Sequence, residues 1–455
     1  MMGRMTGHWI EQWDPEDERF WNEGGGKQIA RRNLVFSVLS EHIGFSVWSL
    51  WSVMVLFMGP EYHVDPAGKF FLVAMPTLVG GVLRVPYTFA VAKFGGRNWT
   101  IISALLLLVP TITAAVVMKP GVSYTELMVV AALTGVGGGN FASSMTNINS
   151  FYPLREKGWA LGLNAGGGNL GVAAIQLVGL LVIATAGATH PRIVLAVYIP
   201  LIVVAATLSA LFMDNLAPVK NDTGAAIDAA KDPHTWIMSF LYVGTFGSFI
   251  GYSFAFGLVL QNQFGRTPLH AAYLTFIGPL LGSLVRPIGG RLADRFGGAR
   301  ITLWNFLAMA AATGVVVVAS EQKSLGLFLP GFIALFVLSG IGNGSSFKMI
   351  PGIFHKKAEA KGLTGEAAAA HGRRLSGASM GLIGAVGALG GVGINLAFRE
   401  SFLSRHTGTP AFVTFLVFYA LCFAVTWAVY LRRPAAVGDG AAQAAPTGAT
   451  AYAEV

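Results

Sequence analysis

Twelve apolar stretches, most of them about twenty residues or longer, alternate along the chain with short polar turns. They fall at 33–58, 69–93, 99–118, 124–152, 158–186, 189–213, 234–262, 269–292, 300–319, 324–352, 375–398 and 409–431. None alternates with period two, so the pattern predicts membrane-spanning helices and argues against barrel strands. Residues 1–32 are polar and aromatic (Trp9, Trp13, Asp14, Asp17, Trp21) and lack the order of a cleaved signal, which predicts a cytoplasmic N-terminal segment with the first span as insertion signal. The longest break, 214–233, carries Asp214, Pro218, Lys220, Asp222, Asp228, Lys231 and Asp232. It separates two six-helix halves, 33–213 and 234–432. The Ala- and Gly-rich stretch 433–455 predicts a disordered cytoplasmic tail.

Composition agrees with the pattern. Of 455 residues 54% are hydrophobic and 12% charged, with mean hydropathy +0.60, too apolar for a soluble domain of this size. The lipid bilayer is therefore the chain's solvent. A net charge of +9 would suggest nucleic acid in a soluble protein, but here the positions of the charges account for it. Of the 31 Lys and Arg residues, 21 fall on the face shared with the N-terminus and seven on the other. That asymmetry predicts both termini in the cytoplasm. The remaining three, Arg84, Arg286 and Lys348, fall inside predicted spans. The single cysteine, Cys422, excludes a disulfide framework. No metal-ligand spacing, cofactor motif or catalytic constellation is present, so the sequence predicts no enzyme, no metal and no cofactor.

Two of the buried cations belong to a repeat. Leu83-Arg84-Val85-Pro86 leads ten residues on to Phe94-Gly95-Gly96, and Val285-Arg286-Pro287 leads by the same step to Phe296-Gly297-Gly298. Each arginine thus lies about three helical turns from its FGG turn, near mid-membrane. Insertion of such a charge costs roughly 2.5–3.5 kcal/mol. Almost no fixed acid is available as counter-charge, so a mobile anion is the natural partner. Glycine runs follow the two arginines by 51 and 54 residues, at Gly135–Gly139 and Gly340–Gly344. Two halves with landmarks in the same order predict a parallel repeat with a binding site between the halves.

The motif Gly139-Asn140-Phe141-Ala142-Ser143-Ser144-Met145 with Asn147-Ile148 and Phe151-Tyr152-Pro153, the partner Gly344-Ser345-Ser346-Phe347 and the two arginine units together resemble the NarK-type nitrate/nitrite porters of the major facilitator superfamily. The resemblance runs from the first span to the last. It implies an all-α membrane protein of the major facilitator fold, twelve helices in two halves, resident as a monomer in the cell inner membrane. It implies that Arg84 and Arg286 are the substrate-binding pair and that Tyr242, Phe246, Phe141 and Asn169 line the same cavity. The chemistry suits a planar oxyanion: a guanidinium is a rigid fork of donors, Tyr242 and Asn169 can donate hydrogen bonds, and flanking rings exclude water. Gly139, Gly166, Gly168, Gly344 and Gly387 are expected to serve as close-packing points or hinges.

Glu41 departs from the family's exchangers, which lack an acid there, and the segment Glu41–Trp48 resembles a subgroup of proton symporters. Lys348 likewise replaces a neutral residue. Glu41 is the only one of 22 acids placed well inside a span, which makes Glu41 with Lys348 the expected proton-coupling pair; a static ion pair between them is the alternative. The expected function is nitrate or nitrite transport by alternating access, with protons co-transported. Nitrate/nitrite exchange is the alternative, and an anion sensor on a transporter scaffold is the reading from another class.

Overall fold

The computed structural model of the protein describes residues 5, 6 and 8–432; the predicted tail 433–455 lies outside them. Among the described residues eleven helices are long and apolar enough to cross a membrane, and a bent pair supplies a twelfth span. In chain order these are α1 (Gly26–Trp48 with Leu50–Phe57), α2 (Pro66–Phe94), α3 (Gly96–Val117), α4 (Tyr124–Phe151), α5 (Arg155–Ala186), α6 (Pro191–Phe212), α7 (Pro233–Phe264), α8 (Pro268–Phe296), α9 (Gly298–Glu321), α10 (Leu325–Ala360), α11 (Gly365–Arg405) and α12 (Thr409–Leu431). Each overlaps one of the stretches expected from hydropathy. The 45° bend in α1 has a local cause: the Ser49 hydroxyl donates back to the Phe45 carbonyl at 2.8 Å, and such back-bonding bends helices.

The largest departures from the hydropathy boundaries are at α10 and α11. The basic segment from Lys356 to Arg374, expected as a loop, is almost wholly helical, because α10 runs on to Ala360 and α11 begins at Gly365. With 36 and 41 residues these helices reach about 54 and 60 Å, well beyond a hydrocarbon layer of about 30 Å. Their polar ends project past the membrane, where hydropathy no longer marks a helix. The break at 214–233 is also ordered. It holds the helix Thr223–Lys231, capped by Asp222. Arg374 grips Asp222 with Nε and Nη2 at 2.6 and 2.9 Å and so holds that carboxyl below its usual range.

The N-terminal segment is a packed part of the fold. Trp9–Ile10 pairs as a parallel strand with Asn215–Leu216, just past the end of α6. Trp21 is fully buried and donates its indole N–H to Glu156 at 2.9 Å. The Trp13 indole donates to the Phe151 carbonyl at 3.2 Å, and the buried Asp214 accepts from Arg32 at 2.6 Å and Asn33 at 2.9 Å. Ile10, Trp21, Leu34, Ile148, Phe151, Tyr152 and Leu216 form a small apolar core there, separate from the main core of the bundle.

The internal repeat is visible in backbone geometry. α2 ends at Gly95 with φ 87° and ψ 147°, its N–H donating to the Val91 carbonyl. α8 ends at Gly297 with φ 88° and ψ 131°, its N–H donating to the Ala293 carbonyl. Only glycine adopts such angles without strain. The two halves meet along α2 with α11 and α5 with α8. On the face opposite the N-terminus this seam is closed: Phe70 stacks on Phe398 and Phe402 at 5.3 and 5.2 Å, and Gln176 donates to the Ser253 carbonyl at 2.8 Å.

The two turns give a stability test. Gly297→Ala should destabilise the protein by about 1–3 kcal/mol because alanine must enter a glycine-only backbone region. Gly314, inside α9 with open space around it, is the control, and Gly314→Ala should be neutral or slightly stabilising. Melting temperatures in detergent check this; equal melting of the two variants contradicts the strained-turn account.

Candidate functional site

Arg84 lies on α2 at 1% exposure and Arg286 on α8 at 7%. Among the described residues neither forms an ion pair with an acid. Arg84 Nε donates to the Gly138 carbonyl of α4 at 3.2 Å. Its Nη1 donates across the seam to the Gly384 carbonyl of α11 at 2.8 Å, while Nη2 is buried with no partner. Arg286 Nη2 donates to the Tyr242 hydroxyl at 3.4 Å, and its Nη1 is likewise buried and unpartnered. The structure thus has two fixed cations, each with a buried, unsatisfied N–H group. Leaving one such donor unpaired costs about 1–3 kcal/mol, more where the group is charged. An anion accepting from both forks would satisfy them.

Aromatic rings join the two arginines. The Arg84 guanidinium carbon lies 4.5 Å from the Phe141 ring centre and 4.9 Å from that of Phe246. Phe246 stacks on Tyr242 at 5.3 Å with planes 12° apart, and on Phe141 at 6.1 Å. Phe347 of α10 lies against Tyr242 at 5.3 Å and under Arg286 at 5.9 Å. The π-helical turn Val243–Gly247 carries Phe246 and begins immediately after Tyr242. An extra residue in a turn re-aims side chains, and such turns recur at functional sites. Asn169 is buried on α5 with neither amide atom hydrogen-bonded, and it makes no hydrogen bond to either arginine. Asn140 on α4 and Asn343 on α10 are also buried with both amide atoms unpartnered; sequence reasoning passed over both.

Glycines let the backbones approach. A side chain at Gly344 would meet the Arg286 carbonyl, one at Gly387 the Tyr242 ring, one at Gly139 the Tyr87 ring and one at Gly168 the Glu41 carboxylate. At Gly166, by contrast, nothing lies within 4 Å of a Cβ built there. Close packing therefore does not explain that glycine.

Glu41 is buried in α1 at 1% exposure. Its Oε2 accepts from the Ser144 hydroxyl of α4 and, at 2.6 Å, from Asn164 Nδ2 of α5. Oε1 is buried without a partner. Neither Ser144 nor Asn164 stood out as a site residue in the sequence, although both are polar positions within apolar spans. Lys348 is not part of this cluster. It is half-exposed and pairs with Asp294 of α8 at 2.9 Å. Counted from the start of α10 at Leu325, Lys348 lies about 34 Å along the axis, where a span of about 30 Å has ended. A Glu41–Lys348 pair is thereby excluded from this arrangement, and the third buried cation expected from the sequence is absent.

Residues 42–393 match the model of the Major Facilitator Superfamily. The chain is 38% identical to the nitrate/nitrite transporter NarU of Salmonella typhimurium over 93% of its own length and 96% of that protein. It is 32% identical to the probable nitrate/nitrite antiporter NarK2 of Thermus thermophilus, over 96% and 99% of the two chains. The chain belongs to the nitrate/nitrite porter family of the major facilitator superfamily. Among solved structures the porter resembles the D-xylose-proton symporter, with TM-score 0.66 at 14% identity over 88% of this chain and 97% of that one. It also resembles the nucleoside transporter NupG, with TM-score 0.62 at 11% identity over 89% and 100%. At such identities these two likenesses speak for the fold alone. The porter is a multi-pass membrane transporter, not an enzyme.

Because Lys348 is half-exposed in its pair with Asp294, removing it should cost little. Lys348→Gln should change folding stability by no more than about 1 kcal/mol and leave the yield of folded porter near wild type. A collapse in yield, measured by size-exclusion chromatography, would speak for a buried structural role.

Proposed function

We propose that this porter carries nitrate, nitrite or both across the cell inner membrane as a monomer, by alternating access of its two halves, with both termini cytoplasmic. The observation that carries the reading is the pair of buried arginines, one on each half, each with an unpartnered N–H and no acidic partner. A small planar oxyanion placed between them neutralises two charges and satisfies both donors, bidentately where a fork faces two oxygens. Tyr242 supplies a hydroxyl beside Arg286, and Phe141 and Phe246 wall the site off from water. In this reading Asn169, with its unsatisfied amide, is a further donor to the anion. With one arginine on each half, anion binding favours the state in which the halves close on the site. The glycine contacts of α10 with α8 and of α11 with α7 lie within the second half and hold Arg286 and Tyr242 close to their neighbours.

The transport mode is proton symport, with Glu41 as the proton carrier and Lys348 outside the coupling machinery. The reading rests on Glu41 being a fully buried acid, unpaired with any base, on the same half as Arg84. Exchange of nitrate for nitrite is the second reading, favoured by the antiporter among the relatives.

Arg84→Lys and Arg286→Lys retain charge and lose the fork. Each is expected to lower nitrate uptake into proteoliposomes at least ten-fold, with folded yield preserved; near-normal uptake by either variant contradicts two-fork binding. Glu41→Gln is expected to abolish nitrate accumulation driven by an inward proton gradient while exchange across the membrane persists. Undiminished gradient-driven accumulation in that variant removes symport and leaves exchange.

A further inference from the structure

One side of α4 connects the anion site to the buried acid. Gly138 accepts from Arg84 Nε at 3.2 Å, Phe141 lies 4.5 Å beneath the same guanidinium, and Ser144 donates to Glu41 Oε2. These residues recur at every third position and so lie along one side of the helix. From α5, Asn164 Nδ2 reaches both Glu41 Oε2 at 2.6 Å and the Ser144 hydroxyl at 2.9 Å.

The repeat within the chain shows that this cluster is not required by the fold. Glu41, Phe45 and Ser49 of α1 are answered at the same spacing by Thr245, Phe249 and Ser253 of α7. Ser144 follows Arg84 by the same interval that separates Ser346 from Arg286. In the second half the corresponding contact is between two neutral hydroxyls, Thr245 Oγ1 and Ser346 Oγ at 3.4 Å. The same helix crossing therefore forms with no acid present, and in the first half alone it carries a titratable group with two donors on one oxygen.

The other groups around Glu41 are few. Arg84 of α2 and, from the other half, Arg286 of α8 are the charged groups whose fields reach it. α4 and α5 present the neutral Ser144 and Asn164. His42, on α1 itself, directs Nδ1 to the Gly167 carbonyl at 3.0 Å. Tyr198 of α6 meets Ser46 instead, and Arg97 of α3 is tied to the Ala210 carbonyl.

We propose that Ser144 and Asn164 are positioning residues for coupling: they hold the Glu41 carboxylate and thereby set the proton concentration at which anion uptake is driven. The inference rests on the reading of Glu41 as proton carrier. Donors to a carboxylate favour its charged form. Removing one makes the acid hold its proton to higher pH, so the external pH giving half-maximal gradient-driven uptake moves upward. Because Ser144 lies two turns along α4 from the carbonyl that holds Arg84, release of its hydroxyl on protonation can be transmitted to the anion site through one helix.

The test uses the full-length porter in proteoliposomes, with nitrate uptake measured across a series of external pH values and nitrate exchange measured at saturating anion. Ser144→Ala should shift the uptake midpoint to higher pH, to about ten-fold lower proton concentration, and leave exchange within about two-fold of wild type. Ser144→Thr, which keeps the hydroxyl, should return the midpoint to wild type, and Asn164→Leu should shift it in the same direction as Ser144→Ala. A Ser144→Ala porter with an unmoved midpoint, whether or not both activities fall together, overturns the inference, because a purely structural role predicts that result. Glu41→Gln separates the two levels. If that variant still accumulates nitrate with the proton gradient, the symport reading fails and this inference with it; if accumulation is lost while the Ser144→Ala midpoint stays fixed, only the positioning role fails.

Discussion

A guanidinium in a low-dielectric interior must be solvated by something, and most of this architecture follows from how that requirement is met twice. Burying an unpaired ion costs several kcal/mol even after relaxation. For Arg84 the protein supplies two carbonyls, from Gly138 and Gly384, and three rings, those of Trp48, Phe141 and Phe246. For Arg286 it supplies one hydroxyl and a more distant ring. Both solvation shells are incomplete, and both gaps are N–H groups with no acceptor. A permanent carboxylate beside either arginine would fill the gap and remove the need for a ligand. Holding the one nearby acid on serine and asparagine donors keeps that solution unavailable.

The ring stack linking the arginines needs unusual backbone. Tyr242 and Phe246 are four residues apart, and the π-helical turn between them brings the two rings to 12° from parallel. Gly387 gives Tyr242 room on the opposite helix. Aromatic faces suit this position because they stabilise a cation electrostatically without competing for its N–H groups.

Much of this was legible in the sequence for a physical reason: a bilayer imposes a length on every apolar run, and twelve such runs fix twelve spans. The repeated arginine-to-FGG step was also readable, since a glycine-only turn leaves the same residues in both halves. Depth was harder to read. Lys348 sits inside an apolar run, yet α10 is longer than the membrane is thick, so hydropathy could not show that the lysine had already emerged toward Asp294. Ser144 and Asn164 were hidden differently. Small polar residues are common in spanning helices, and only tertiary packing brings α1, α4 and α5 together to reveal which of them share a carboxylate. The amphipathic ends of α10 and α11 and the ordered N-terminal segment were missed because neither is apolar enough to register as a span.

The strand formed by Trp9–Ile10 with Asn215–Leu216 also has a consequence for synthesis. Its two edges are separated by about two hundred residues of chain, so this parallel pairing cannot form until all six helices of the N-terminal half have left the ribosome. Trp13 and Trp21 meet Phe151 and Glu156 at the junction of α4 and α5, and Asp214 past α6 then ties Arg32 and Asn33 at the start of α1. The contacts that fasten the first half to its own N-terminal segment thus draw on no residue of the second half.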